Sequence, residues 1–96
     1  MVRSEDWQDF GPDDPDRQPF EKELTREVRV GHELSGLDLR VVSRRFAQDD
    51  ILVTAPGRTG VASVHLTWSQ HEETPPWPRT YWHYSIHDAK ESLDDS

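Results

Sequence analysis

Histidine and glutamate side chains between His65 and His83 have the right types to hold a metal ion or to move protons. If the strands at the two ends of this segment pair, His65 and His83 lie side by side. With Glu72 they would then form the two-histidine, one-carboxylate set that suits zinc or iron. The spacing matches no short metal motif, and histidines more often make ordinary hydrogen bonds. A metal-dependent enzyme is therefore an alternative, and no metal or cofactor is predicted.

Other catalytic sets are incomplete. The serines available as nucleophiles are Ser43, Ser63, Ser69 and Ser85. No nucleophile elbow surrounds any of them, and the glycines form no phosphate-binding loop before a helix. Asp49 and Asp50 could act as paired carboxylates, but at a hairpin corner they are expected to be turn residues. The sequence favours a function without catalysis.

Aromatic residues supply the candidate binding site. Trp77 stands between prolines, where no periodic pattern calls for burial, and with Tyr81 and His83 it could line a shallow pocket. The alternative is that Trp77 only closes the edge of the sheet. The predicted binding residues are Trp77, Arg79, Tyr81, His65 and His83.

Arginines and the two remaining tryptophans of this region have separate predicted roles. Arg44, Arg45 and Arg79 could bind a carboxylate or a phosphate beside the aromatic rings. Trp68 and Trp82 fall on the core-facing side of their strands, so we expect them to be part of the core.

Two helices are expected to frame the sheet that positions these residues. In PFEKELTREVRV, Phe20, Leu24 and Val28 recur every four residues and share one helical face. Pro19 stands at the first helical position and Gly31 just past the predicted end. After the sheet, SIHDAKESL begins with a serine that can cap a second helix.

Between the helices, alternating apolar and polar residues predict an antiparallel meander. LDLRVVSRRF, ILVTA and VASVHLTW are three strands joined by short turns, and APGRTG suits a type II turn. TYWHY predicts a fourth strand. We therefore predict an α+β fold, with an antiparallel sheet of three to four strands and both helices on one face. The other face, carrying His65 and Tyr81, should be open and half polar.

Negative charge is concentrated at the two ends of the chain. Residues 1–18 carry a net charge of −4 and residues 88–96 carry −3, which leaves −1 of the total −8 for the middle. The middle has neither the basic stripe of a nucleic-acid-binding protein nor an acidic surface that imitates nucleic acid. The proline-rich 1–18 segment is predicted to be a disordered acidic tail, 19–93 one α+β domain, and 94–96 a second disordered tail.

Composition sets the class of protein. Cysteine is absent, which excludes disulfides and thiolate chemistry. No apolar run approaches the roughly 18 residues that span a bilayer, and the acidic start lacks the features of a signal peptide. We expect a cytoplasmic protein with no membrane or nucleic-acid partner, either a monomer or a weak homodimer.

Several short motifs resemble those of a family of small bacterial proteins. They are GHELSG at 31–36, DDILV at 49–53, VHLTWS at 64–69, WPRT at 77–80 and the pair Tyr84-Ser85. The resemblance covers roughly residues 20–93. It implies a compact domain that folds on its own, and it carries no catalytic residue over to this chain.

Taken together, these features favour a non-enzymatic module that binds a protein partner, either regulatory or an immunity-type protein that neutralises a toxin. Its contacts would come from the open sheet face or from the WPRTYWHY rim. A small-ligand-binding domain using Trp77, Tyr81 and Arg79 is one alternative. The metal-dependent enzyme built on His65, His83 and Glu72 is the other.

Overall fold

The computed structural model describes residues 6–11, 13–28, 32–46, 48–68 and 79–94. The strands are β1 (Trp7–Asp9), β2 (Arg40–Arg45), β3 (Asp50–Thr54), β4 (Val61–His65) and β5 (Arg79–His83). The helices are α1 (Gln18–Glu27), which follows a single 3-10 turn at Pro15–Arg17, and α2 (Ile86–Asp94). Within the described ranges, neither helix has the length and apolar character needed to cross a membrane.

The strands form one antiparallel sheet in the order β1-β2-β3-β4-β5. The predicted α+β class and the meander of β2 to β5 are confirmed, and the sheet has one strand more than the three to four expected. The type II turn between β3 and β4 also forms. The Ala55 carbonyl accepts from the Arg58 N–H at 3.1 Å, and Gly57 has the positive φ of 84° that such a turn needs at its third position.

The additional strand comes from the segment predicted to be a disordered tail. Trp7 pairs with Arg45 and Asp9 with Ser43, so β1 extends the sheet beyond β2. Trp7 and Phe10 are both buried. The disordered-tail predictions are therefore corrected for residues 7–11 and 13–18, where β1, the 3-10 turn and the start of α1 lie, and for Asp94, the last residue of α2. Two large rings compensate for the ordering of a segment whose acids and prolines suggested disorder.

A β-bulge in β2 changes which face its side chains occupy. Val41 pairs with Val53 but Ser43 pairs with Leu52, so Val42 is the inserted residue. Beyond the bulge the alternation is reversed. Arg44 consequently lies on the same face of the sheet as Val41.

Each helix covers its own face of the sheet, which corrects the prediction of both on one side. The α1 face buries Leu24 against Val41, Ile51, Val53, Ala62 and Val64. The α2 face buries Ala89 against Trp7, Leu52 and Val61. The continuous run Ile51-Leu52-Val53 is buried on both sides, as expected of a strand between two layers. The face predicted to be open is thus covered by α2 over its middle.

The ends of the helices show which local signals were decisive. The Ser85 hydroxyl accepts from the Asp88 N–H at 3.1 Å, which confirms the predicted cap of α2. In α1, the last turn closes with Val28 N–H donating to the Leu24 carbonyl at 3.0 Å. The helix therefore ends before Gly31, which lies outside the described residues.

Candidate functional site

The two histidines of the predicted metal set are not neighbours. His65 pairs with Arg79, whereas His83 pairs with Val61. The two rings share a face but are separated by four residue positions along the strands, or about 13 Å at 3.3 Å per residue. Glu72 lies outside the described residues. Within the described ranges, no cluster of three potential metal ligands occurs, and the prediction that the histidines lie side by side is wrong.

Each histidine instead has its own hydrogen-bond partner. His65 Nδ1 lies 2.9 Å from Asp50 Oδ1, and His83 Nε2 lies 2.9 Å from Ser63 Oγ. Burial lowers the pKa of His83, although the charge of Asp88 opposes this effect. A neutral imidazole is the form that accepts a proton from a serine hydroxyl.

The Ser63–His83 contact resembles the start of a nucleophilic dyad, but Ser63 is not accessible. Only 3% of Ser63 is exposed, and it lies on the sheet face that α2 covers. Its hydroxyl is also 3.4 Å from the Tyr81 carbonyl. A nucleophile must reach a bound substrate, so this contact holds β4 and β5 together and does not form a catalytic pair.

Among the described residues, the two most exposed aromatic side chains lie on β5 and just beyond it. Tyr81 is 58% exposed and Tyr84 is 94% exposed. Between them, the half-buried Trp82 ring carries the Arg58 guanidinium 4.1 Å from its centroid, and its Nε1 donates to Glu33 Oε1 at 2.7 Å. We call Arg58, Tyr81, Trp82 and Tyr84 the β5 rim. Trp82 also packs on the α1-face core, in accord with its predicted side of the strand.

A groove of about 340 Å³ runs along this rim, lined by Thr59, Gly60, Trp82, His83 and Tyr84. Gly60 lies at the point of the groove where the backbone passes closest to β5. It has φ 90°, and a Cβ at this position would overlap the backbone carbonyl of His83. Only glycine allows the backbone at position 60 to approach the backbone at His83 so closely.

The remaining predicted site residues are divided between different surfaces. Arg79 and Tyr81 line a smaller depression of about 200 Å³ with Glu33 and Thr80. Arg44 and Arg45 lie on β2, three strands away from Arg79, so the three arginines form no common site. Trp77 lies outside the described residues. Arg58 and Tyr84 were missed because a turn residue and a residue after a strand carry no periodic signal.

A second unusual feature is a pair of buried carboxyl groups on α1. Glu23 and Glu27 are both almost fully buried, at 2% and 0% exposure. The Glu27 carboxyl accepts the Thr67 N–H and the Trp68 N–H, each at 2.9 Å. Burial and a hydrogen bond with Glu23 raise the pKa of Glu27 to about 7, against the opposing effect of the two amide donors.

This pair organises the chain after β4 and is not open to a substrate. Trp68 has a φ of 56°, rare for a residue other than glycine, and Glu27 holds its amide in that conformation. The turn takes Trp68 out of the strand alternation. Its ring is 39% exposed and meets Phe20 edge-on at 5.7 Å, so the prediction that it is a core residue is wrong.

Comparisons with known proteins find no matching family model, curated protein or solved structure. The family resemblance drawn from the short motifs therefore stays a prediction.

Proposed function

We propose that this protein is a non-enzymatic interaction module that binds a protein partner through the β5 rim. The observation that carries the proposal is the exposure of Tyr81 and Tyr84, which present two aromatic rings to solvent within four residues of an edge strand. Aromatic residues and arginine are the side chains that dominate binding energy at protein interfaces.

The arrangement of the rim supports binding of a macromolecule over a small ligand. Its groove is shallow and open, and the Trp82 ring is already covered by Arg58. Tyr81 and Tyr84 can each fill a pocket on a partner, and Arg58, which lies over the Trp82 ring, is the arginine of the rim. Four of the eight described aromatic residues are exposed, and Tyr81 and Tyr84 are the two most exposed of them.

The proposal also rests on how the polar groups are used. Ser63 is inaccessible, the Glu23–Glu27 pair is buried, and His65 and His83 are apart. Among the described residues, these are the groups best suited to catalysis by type. Each is occupied by a contact that holds secondary-structure elements together.

Site-specific photocrosslinking in the cells that produce the protein tests the proposal. A benzophenone amino acid replaces Tyr84, whose nearly complete exposure makes the substitution harmless to folding. The matched control carries the same group at Arg40 on β2, whose side chain is 54% exposed and which lies three strands from β5. We expect one protein adduct from position 84 that is absent from position 40 and is lost when Tyr81 is also replaced by alanine. Identical adducts from both positions, or none from position 84, would contradict the proposal.

A further inference from the structure

A second groove lies on the α1 face of the sheet, at the other end of the molecule from the β5 rim. Its walls are the rings of Phe20, Phe46 and Trp68, with Arg44 between them, and we call these four residues the aromatic–arginine groove. The volume is about 240 Å³. Across the sheet, Arg44 on β2 is in register with Thr80 on β5, three strands away. At 4.8 Å per strand the two positions are about 14 Å apart, so the groove and the β5 rim are separate surfaces.

The guanidinium of Arg44 is held in place before any ligand arrives. It lies 4.4 Å from the Phe46 ring centroid and 5.4 Å from that of Phe20. Its Nε donates to Gln8 Oε1 at 2.9 Å. An arginine stacked on rings and fixed at Nε loses little side-chain entropy when it binds a ligand.

The two terminal nitrogens of Arg44 are left for a ligand. Across the described part of the chain they make no hydrogen bond or ion pair, in contrast to Arg45, whose Nη1 lies 3.3 Å from the Leu93 carbonyl and 3.7 Å from Asp50 Oδ2. A guanidinium with both terminal NH₂ groups available matches the two oxygens of a carboxylate. Arg44 is thus a receptor for an anion and not part of an internal salt bridge.

The residues that line the groove determine which chemical groups the anionic ligand should have besides its negative charge. Phe46 is 51% exposed and Trp68 is 39% exposed, so apolar surface is available beside the guanidinium. Arg45, Asp49 and Asp50 also line the groove, and Arg45 Nη1 lies 3.7 Å from Asp50 Oδ2. Because Arg45 and Asp50 offset each other, the charge left beside Arg44 is that of Asp49, which disfavours a doubly charged phosphate more than a singly charged carboxylate. The preferred ligand joins one carboxylate to an apolar group.

We infer that the aromatic–arginine groove binds the C-terminal carboxylate of a peptide whose last residue is apolar. In such a residue the carboxylate and the apolar side chain are attached to the same Cα, so one residue can meet Arg44 and the rings together. An internal aspartate or glutamate carries its carboxylate at the end of a polar side chain and leaves Phe46 and Trp68 uncovered. Capture of a terminal carboxylate is an established way of recognising peptides.

Titrations followed by proton–nitrogen correlation NMR test this inference on the full chain. The probes are a short peptide ending in leucine, the same peptide with an amidated end, N-acetylleucine and inorganic phosphate. We expect saturable shifts of the Trp68 indole and the Arg44 Nε–H with the free peptide, and binding at least about tenfold weaker after amidation. Equal binding of the amidated peptide overturns the inference. N-acetylleucine, which carries the same carboxylate and side chain, should shift the same two signals, and its failure to do so overturns the inference. So does binding of phosphate as tight as that of the peptide.

Matched substitutions assign the binding to the groove. Arg44→Lys keeps the charge but removes the fork, and should weaken peptide binding by about tenfold. Arg40→Lys, on the same strand and well exposed, should leave it unchanged. If Arg44→Lys impairs folding, Phe46→Ala serves instead, because this exposed ring can be removed without opening the core. Binding within twofold of the wild type in the folded variant overturns the inference.

Failure here is distinguishable from failure of the β5 rim. Tyr84→Ala should leave peptide binding in the aromatic–arginine groove unchanged, while Phe46→Ala should leave crosslinking from position 84 unchanged. If Tyr84→Ala also abolishes peptide binding, the peptide binds at the rim, and the assignment to Arg44 is wrong.

Discussion

Replacement of Glu23 by glutamine should reduce the alkaline loss of stability in this protein. Folding raises the pKa of Glu27 from its ordinary value of 4.5 to about 7, because the carboxyl is buried and hydrogen-bonded to Glu23. The native state thus holds a proton that the unfolded chain has released. This contribution is complete below the unfolded pKa of 4.5 and is lost as the pH rises through about 7.

The magnitude follows from the same two pKa values. Between about pH 5.5 and pH 8.5, linkage gives a decrease of about 2 kcal/mol in the free energy of unfolding from this pair. For a domain of this size, about 2 kcal/mol is a large part of the total stability.

Two ionised carboxylates have no hydrogen atom to share, so the Glu23–Glu27 hydrogen bond requires a bound proton. Glutamine at position 23 brings its own N–H donor and does not require one. Its NH₂ group can donate to the Glu27 carboxylate, which keeps both backbone donors, Thr67 N–H and Trp68 N–H. Glu23→Gln should therefore match the wild type near pH 5.5 and exceed it near pH 8.5, by up to about 2 kcal/mol. Glu27→Ala is the contrasting variant. It leaves two buried amides without their acceptor and should lose about 2 kcal/mol or more at either pH.

Urea unfolding at a series of pH values, followed by tryptophan fluorescence, measures these differences. Because His83 titrates in both proteins, its contribution cancels when the wild-type curve is subtracted from that of Glu23→Gln. A difference that is independent of pH would refute the shared proton. A Glu23→Gln variant weaker than the wild type near pH 8.5 would refute it as well.

Three further predictions concern other parts of the fold. Burial lowers the pKa of His83, so as the pH falls below about 6.5 the unfolded state binds a proton before the native state does, and the native state loses stability. The melting temperature of His83→Gln should therefore fall less than that of the wild type over this pH range. Gly60→Ala should cost about 2 kcal/mol or more in urea unfolding, whereas Gly36→Ala, with a similar φ of 81° but open space around it, should cost only about 1 kcal/mol. Trp7→Ala should lower the free energy of unfolding by about 3 kcal/mol or more and expose the amides of β1 to hydrogen exchange, whereas a disordered tail would show neither effect.

The features that could be predicted from the sequence are those decided by neighbouring residues. The apolar spacing of α1, the serine cap of α2 and the Pro56-Gly57 turn each depend on a few consecutive side chains, and each forms as expected. The strand alternation also placed His65 and His83 on the same face. Alternation of apolar and polar residues decides which face a side chain occupies, but it does not decide which residues of two strands lie opposite each other. It therefore could not show that His65 and His83 are four positions apart and not opposite.

The features that could not be predicted depend on residues far apart in the chain. The pairing of β1 with β2 joins Asp9 to Ser43, and nothing in either segment alone marks the other as its partner. The same holds for the side of the sheet that α2 covers, since Ala89 and Leu93 could pack on either apolar face. Burial of Glu23 and Glu27 was missed because a helical charge pattern cannot show that two acids will share a proton.

Strand β1 links parts of the molecule that would otherwise open independently. The Ser43–Asp9 hydrogen bond spans 34 residues and the Lys90–Asp9 bond spans 81, whereas β2 to β5 follow one another along the chain. Contacts between distant residues cost more chain entropy to form, so β1 should join last during folding and detach first in the native state. Its detachment frees α2 at Lys90 and removes the Gln8 contact that fixes Arg44. Exchange rates of the α2 amides and occupancy of the aromatic–arginine groove should therefore vary together, through one local opening at the start of the described chain.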